Sequence, residues 1–239
     1  CGDPDLETTA EIVKAMSENG ADLIELGIPF SDPTAEGPVI QEANIRALAG
    51  GVTTDKIFEF VRKLRNEVKT PMVFMTYANV VFSYDSEKFI STCADIGIDG
   101  LILPDIPLEE RGEFAPICKK YGLDLVPLVA PTSADRIAMI AKESDGFTYV
   151  VSSLGVTGVR SKITTDIGAM VRIIRENTRK PCAVGFGIST PQQARDMAQY
   201  ADGVIVGSAI VKLAAQFGKD AAKPIGEYVK AMKQAIADL

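Results

Sequence analysis

Short apolar runs alternate with longer amphipathic stretches along the whole chain, each pair joined by a turn rich in Gly, Pro and Asp. The apolar runs cover residues 21–27, 72–77, 100–103, 123–128, 147–151, 182–184 and 203–206. Helical stretches lie between them at 53–68, 86–96, 109–121, 134–142, 167–177 and 191–200, and a helical tail occupies 226–239. Strands separated by whole helices do not pair as hairpins, so the alternation implies βαβ units and a parallel sheet.

Seven such runs are one short of the eight strands that close a β/α barrel. The chain opens at Cys1-Gly2-Asp3-Pro4, residues that read as a strand-to-helix loop, and Glu7-Thr8-Thr9 leads into a helix through Ser17. The expected fold is therefore α/β, a TIM (β/α)8 barrel forming one domain over residues 1–239. That domain is expected to be N-terminally incomplete, with its first strand upstream of Cys1. The competing topology is an open doubly wound sheet. At 239 residues the chain has a suitable length for one barrel, and no linker marks a second domain.

Composition narrows the chemistry. There is no histidine, which excludes His-dependent triads, His-ligated metal centres and imidazole bases. Acid–base work near neutral pH then falls to carboxylates, Tyr, Lys or Cys. Cys1, Cys93, Cys118 and Cys182 form no CxxC pair and read as the reduced thiols of a cytoplasmic protein. No apolar run reaches the ~20 residues needed to span a bilayer. A net charge of -7 opposes binding to nucleic acid or to an anionic membrane. A phosphorylated small molecule remains compatible, because a few backbone amides suffice to hold a phosphate.

The strand ends carry the candidate site. In the run 21–27, Leu23 and Glu25 share one face, Ile24 and Leu26 the other. Glu25 thus points into the barrel near the C-terminal end of its strand, where barrel active sites lie. A carboxylate in a dry site is driven towards the pKa of a neutral-pH acid. The following loop, Ile28-Pro29-Phe30-Ser31-Asp32-Pro33-Thr34-Ala35-Glu36-Gly37-Pro38, adds Asp32 and Glu36, with Pro38 placed to start a helix. Tyr77, Asp105 and Tyr149 are further candidate lining residues, although Asp105 could equally cap a helix or turn.

Three glycine-bearing turns follow the last runs: Gly155-Val156-Thr157-Gly158, Gly185-Phe186-Gly187-Ile188-Ser189 and Gly207-Ser208-Ala209-Ile210-Val211. Glycines punctuate turns in any protein. The last two stand where β/α barrels commonly bind phosphate, on amides at a helix N-terminus. Such a cradle identifies a ligand group, not a reaction.

The run from Glu25 through Pro33 to Gly37-Pro38 resembles the signature of tryptophan synthase alpha subunits. The likeness continues through Met75-Thr76-Tyr77-Ala78-Asn79 and the three glycine turns, in order, over essentially the whole chain. The first motif is highly specific, while the last two are shared more widely among phosphate-binding barrels. The resemblance implies a cofactor-independent retro-aldol cleavage of indole-3-glycerol phosphate to indole and glyceraldehyde 3-phosphate, the last stage of tryptophan biosynthesis with a beta subunit, in the cytoplasm. It matches Glu25 to the catalytic glutamate and Glu36 to a second catalytic carboxylate that is usually Asp. It matches Gly158, Gly187, Gly207 and Ser208 to phosphate-binding positions and Tyr149 to an active-site tyrosine. Ser153 and Phe147 depart from Arg and Tyr found in some members.

The same resemblance implies an alpha-2 beta-2 heterotetramer with a beta subunit, which alone would carry pyridoxal phosphate. Asp32 and the loop 155–162, including Thr157, would face that partner. A stand-alone indole-3-glycerol-phosphate lyase and a mainly regulatory phosphate-binding subunit are the alternatives. A sugar-phosphate isomerase or synthase would share the cradle but leaves the Pro-Phe-Ser-Asp-Pro loop unexplained. Residue chemistry agrees with the lyase. A Schiff-base aldolase needs a desolvated lysine, and none lies at the C-terminal end of an expected strand. A metal route usually needs imidazole ligands.

Overall fold

A computed structural model describes residues 1–152, 166–185 and 187–239. Its strands are β1 (Ile24–Gly27), β2 (Met72–Met75), β3 (Gly100–Ile102), β4 (Asp124–Val126), β5 (Leu128–Val129), β6 (Thr148–Val151), β7 (Cys182–Gly185) and β8 (Gly203–Val204). They form two parallel ladders in chain order, β1-β2-β3-β4 and β5-β6-β7-β8, with one or two helices between successive strands within each ladder. This is the β/α barrel expected from the alternation.

The run 123–128, expected as a single strand, is instead divided between the two ladders. Pro127 stands at the division, with β4 pairing to β3 on one side and β5 pairing to β6 on the other. Proline brings no N–H to a ladder, so the pairing changes there. Its carbonyl is still used, accepting from the Tyr149 N–H at 3.0 Å.

The helices are α1 (Leu6–Glu18), α2 (Pro38–Ala49), α3 (Thr54–Leu64), α4 (Ala78–Ser83), α5 (Ser86–Asp95), α6 (Ala115–Tyr121), α7 (Ala134–Lys142), α8 (Ile167–Asn177), α9 (Pro191–Ala198), α10 (Ser208–Phe217) and α11 (Ala222–Ile236). Side-chain caps set several starts: Asp5, Thr53, Asp85, Ser133 and Asp166 each accept a first-turn amide, and Thr190 with Gln193 forms a reciprocal capping box. The stretch 109–121 is not one helix. A 3-10 turn over Leu108–Glu113 precedes α6, whose first turn contains Pro116 and so does not extend backwards. Among the described residues no helix is long and apolar enough to cross a membrane.

Two apolar layers position the site. Ile24, Leu26, Phe74, Leu101 and Leu125 point outwards and pack with Ile57, Val61, Phe89, Ile90 and Phe114 of the helical layer and its connections. Val73, Ile102, Val126, Tyr149 and Val151 fill the barrel interior. Glu25 is registered against Val73, so it belongs to the inward face, as the two-residue alternation requires.

Candidate active site

Glu25 sits on β1 between two buried outward-facing neighbours, Ile24 and Leu26. Burial raises its pKa from 4.5 to about 7, and the negative charge of Glu36 adds to the effect. This carboxyl group can therefore exchange a proton near neutrality, which an exposed glutamate does poorly.

The loop after β1 returns Glu36 to Glu25. Gly37 precedes α2 and Pro38 opens it, the arrangement expected from the prolines. Asn44, inside α2, donates from Nδ2 to Glu36 Oε2 at 2.6 Å, while Gln41 Nε2 donates to the Glu36 carbonyl at 2.7 Å. Tyr77, just beyond β2, holds the loop from the other side. Its phenol accepts the Ala35 N–H at 3.1 Å and hydrogen-bonds the Glu36 carboxylate, and its ring lies 5.3 Å from that of Phe30. Burial raises the Glu36 pKa, while Asn44 and then Tyr77 pull it back by favouring the ionised form. Burial is also the main reason that Tyr77 itself is pushed up to about 12.

Tyr149 on β6 completes this wall. Its pKa is raised by burial first and by the nearby Glu25 charge second, so it remains a neutral phenol. A Cβ placed on Gly185 of β7 would lie 2.6 Å from the Tyr149 hydroxyl and 2.7 Å from Cε1. The ring thus occupies the space that any other residue at 185 would fill.

Asp105 has a different place. Its two carboxylate oxygens accept the Ala78 N–H at 3.1 Å each, capping the start of α4, 27 residues earlier in the chain. Asp32 is exposed in the loop after β1 and accepts from the Ser31 hydroxyl. Among the described residues no group of three or more His, Cys, Asp or Glu side chains could hold a metal ion.

At the end of the barrel sequence, Gly187 has φ 83°, the left-handed region that glycine adopts without strain. Gly207 precedes α10, which no side chain caps, and a Cβ there would meet nothing within 4 Å. Packing does not demand glycine at 207; its bareness leaves the N-terminal end of α10, opening with Ser208, accessible to an anion. Gly158 and Thr157 lie outside the described residues, as does the loop 155–162.

Sequence reasoning singled out Glu25, Glu36, Tyr77 and Tyr149, and the structure gathers all four. It missed Asn44 and Gly185. An asparagine inside a helix was the available signal for Asn44, because asparagine is a poor helix former there. In the sequence Gly185 belongs only to a glycine-bearing turn; its contact depends on strand register.

Known proteins match this arrangement over nearly the whole chain. The family model described as tryptophan synthase alpha chain matches residues 1–237. The tryptophan synthase alpha chain of Lacticaseibacillus casei is 50% identical over 234 residues, spanning 98% of this chain and 88% of that protein. That of Lactiplantibacillus plantarum is 50% identical over 236 residues, spanning 98% and 89%. Among solved structures, tryptophan synthase subunit alpha from Legionella pneumophila superposes with a TM-score of 0.89 at 37% identity, covering 100% of this chain and 90% of that one. A chain from the tryptophan synthase a2b2 complex of Pyrococcus furiosus gives a TM-score of 0.86 at 34% identity, covering 98% and 94%.

Proposed function

Because the chain belongs to the tryptophan synthase alpha chain family, we propose that Glu25 and Glu36 carry out that family's cleavage step in this protein. The chain is a lyase of indole-3-glycerol phosphate cleavage, releasing indole and glyceraldehyde 3-phosphate. The observation that carries the residue assignment is a glutamate inside the barrel with a pKa of about 7, beside a second carboxylate held by neutral donors.

The reaction breaks the bond between indole C3 and the glycerol chain. Protonated Glu25 gives its proton to C3, and positive charge develops on the ring nitrogen. The ionised Glu36, accepting a hydrogen bond from the indole N–H, stabilises that charge. Glu25, now a carboxylate, takes the proton of the adjacent hydroxyl. The C–C bond then breaks, its electron pair returns to the ring, and the hydroxyl carbon becomes the aldehyde of glyceraldehyde 3-phosphate. Glu25 ends as it began, so the cycle needs no cofactor.

Tyr77 and Tyr149 line the substrate space in this reading. Amides from Gly187, Gly207 and Ser208, with Gly158, hold the phosphate. Residues 1–239 act as one barrel domain of a cytoplasmic enzyme. By likeness to the Pyrococcus complex, the partner is a beta subunit in an alpha-2 beta-2 assembly. The exposure of Asp32 supports a partner-facing role for its loop, and pyridoxal phosphate is expected only in the beta partner.

The test is to supply indole-3-glycerol phosphate with and without a beta subunit and to measure indole and glyceraldehyde 3-phosphate. Stoichiometric products that rise when beta is added support the reading. Turnover indifferent to beta would make the chain a stand-alone lyase, and no products in either case would leave only a regulatory subunit.

A further inference from the structure

We propose that Asn44 is a positioning residue for the cleavage reaction, holding the Glu36 carboxylate in the orientation and charge state in which it meets the indole N–H. The proposal rests on the role given to Glu36 above and extends it into α2.

The geometry is specific. Asn44 Nδ2 lies 2.6 Å from Glu36 Oε2, a short contact as expected for a donor to a charged oxygen. Gln41, one turn earlier on the same side of α2, grips the Glu36 main-chain carbonyl at 2.7 Å. One helix thus fixes both the backbone and the side chain of a loop residue, the backbone through Gln41 and the carboxylate through Asn44. Asparagine within a helix sacrifices helix propensity relative to alanine, so its place in α2 calls for a tertiary reason.

An amide suits this task better than a cation. Lysine or arginine would orient Glu36 but also neutralise the negative field needed by a positively charged indole ring. Asn44 donates a hydrogen bond without adding charge. Arg46, the cation of α2, is engaged elsewhere, in a bidentate pair with Asp3 at 2.8 Å. The titratable groups facing Glu36 are Glu25 from β1 and Tyr77 from beyond β2; Asp105 stands behind Tyr77. Asp32 in the same loop and Glu42 on α2 are exposed. Against burial, which raises the Glu36 pKa, Asn44 is the larger of the two hydrogen-bonding influences that favour the ionised form, Tyr77 being the other. Its loss would let Glu36 take up a proton at higher pH and weaken the charge that helps Glu25 retain its own.

The experiment is a double-mutant cycle on indole-3-glycerol phosphate cleavage, with beta subunit present and folding verified by thermal melting. Asn44→Ala should lower kcat about tenfold, the scale of one hydrogen bond to a charged group. KM should change by less than about threefold, since the contact acts on a group that works in the transition state. The acid limb of the kcat–pH profile should move to higher pH. Asn44→Asp, which keeps the shape but replaces the donor with a carboxylate, should lose more. In a Glu36→Ala background, Asn44→Ala should cost nothing further. An Asn44→Ala loss that is absent, confined to KM, or equally large without Glu36 would overturn the proposal. If Glu36→Ala were itself silent, the role of Glu36 would fail and this proposal with it. A costly Glu36→Ala beside a silent Asn44→Ala would remove Asn44 alone.

Discussion

Glu36 raises the proton affinity of Glu25, adding its negative charge to the effect of burial on a group already enclosed by the barrel. The two carboxylates have different environments. Burial raises the pKa of both, but Glu36 also receives hydrogen bonds from Asn44 and Tyr77 that favour its ionised form, whereas for Glu25 burial and the Glu36 charge both favour the protonated form. In the proposed reading, this asymmetry leaves the proton on Glu25 in preference to Glu36.

It also makes stability depend on pH. An unfolded glutamate releases its proton near 4.5, but Glu25 in the folded chain holds it until about 7. The folded state therefore binds more protons between those values. The stabilising contribution of protonated Glu25 is complete below pH 4.5 and is lost as pH rises through 7. Glu25→Gln removes the titration. In denaturant unfolding the variant should match wild type near pH 4 and exceed it at pH 8, by at most about 3 kcal/mol. A difference independent of pH would contradict the assigned environment.

Gly185→Ala tests the packing of Tyr149. Its Cβ would fall within 2.6–2.8 Å of three Tyr149 atoms, so the ring or the strand must move. Overpacking of this kind costs about 1–3 kcal/mol. The melting temperature should fall by several degrees and kcat/KM by at least about tenfold as Tyr149 is displaced. Wild-type behaviour in both would show that Tyr149 can yield without consequence.

Much of this site was legible because it depends on local rules. Glu25 could be aimed into the barrel from its apolar neighbours Ile24 and Leu26, which must face the helices. Helices α7 and α8 begin where the amphipathic stretches 134–142 and 167–177 place them, and Ser133 and Asp166 cap them there. The change of pairing at Pro127 is hidden because apolar residues continue on both sides of it, Leu125 and Val126 before and Leu128 after. Asn44 touches Glu36 only because the loop and α2 turn back together, and Gly185 meets Tyr149 only through strand pairing. Asp105 is recognisable as a possible cap, but not as the cap of α4, which begins 27 residues earlier. Such contacts depend on the assembled barrel and have no short-range sequence pattern.

Glu36 occupies a position where the resembling family usually has aspartate. Glu36→Asp keeps the carboxylate but withdraws it from Asn44, so activity should remain within about tenfold of wild type, the scale of one hydrogen bond to a charged group. Glu36→Ala should lose ~10²-fold or more, comparable to removing one preorganised electrostatic contact. Steady-state kinetics on the pair separates these outcomes. Equal rates for Glu36→Ala and wild type would leave Glu25 acting with another group, such as Tyr149.

The central claim is that Glu25 is the acid–base group of the cleavage reaction. Glu25→Gln preserves its size and removes its ability to exchange a proton. The decisive measurement is the rate of glyceraldehyde 3-phosphate release from indole-3-glycerol phosphate by folded Glu25→Gln, at saturating substrate and with beta subunit present. A loss of at least ~10²–10⁴-fold is predicted, the usual contribution of a general acid–base residue. A rate within a few-fold of wild type would contradict the account.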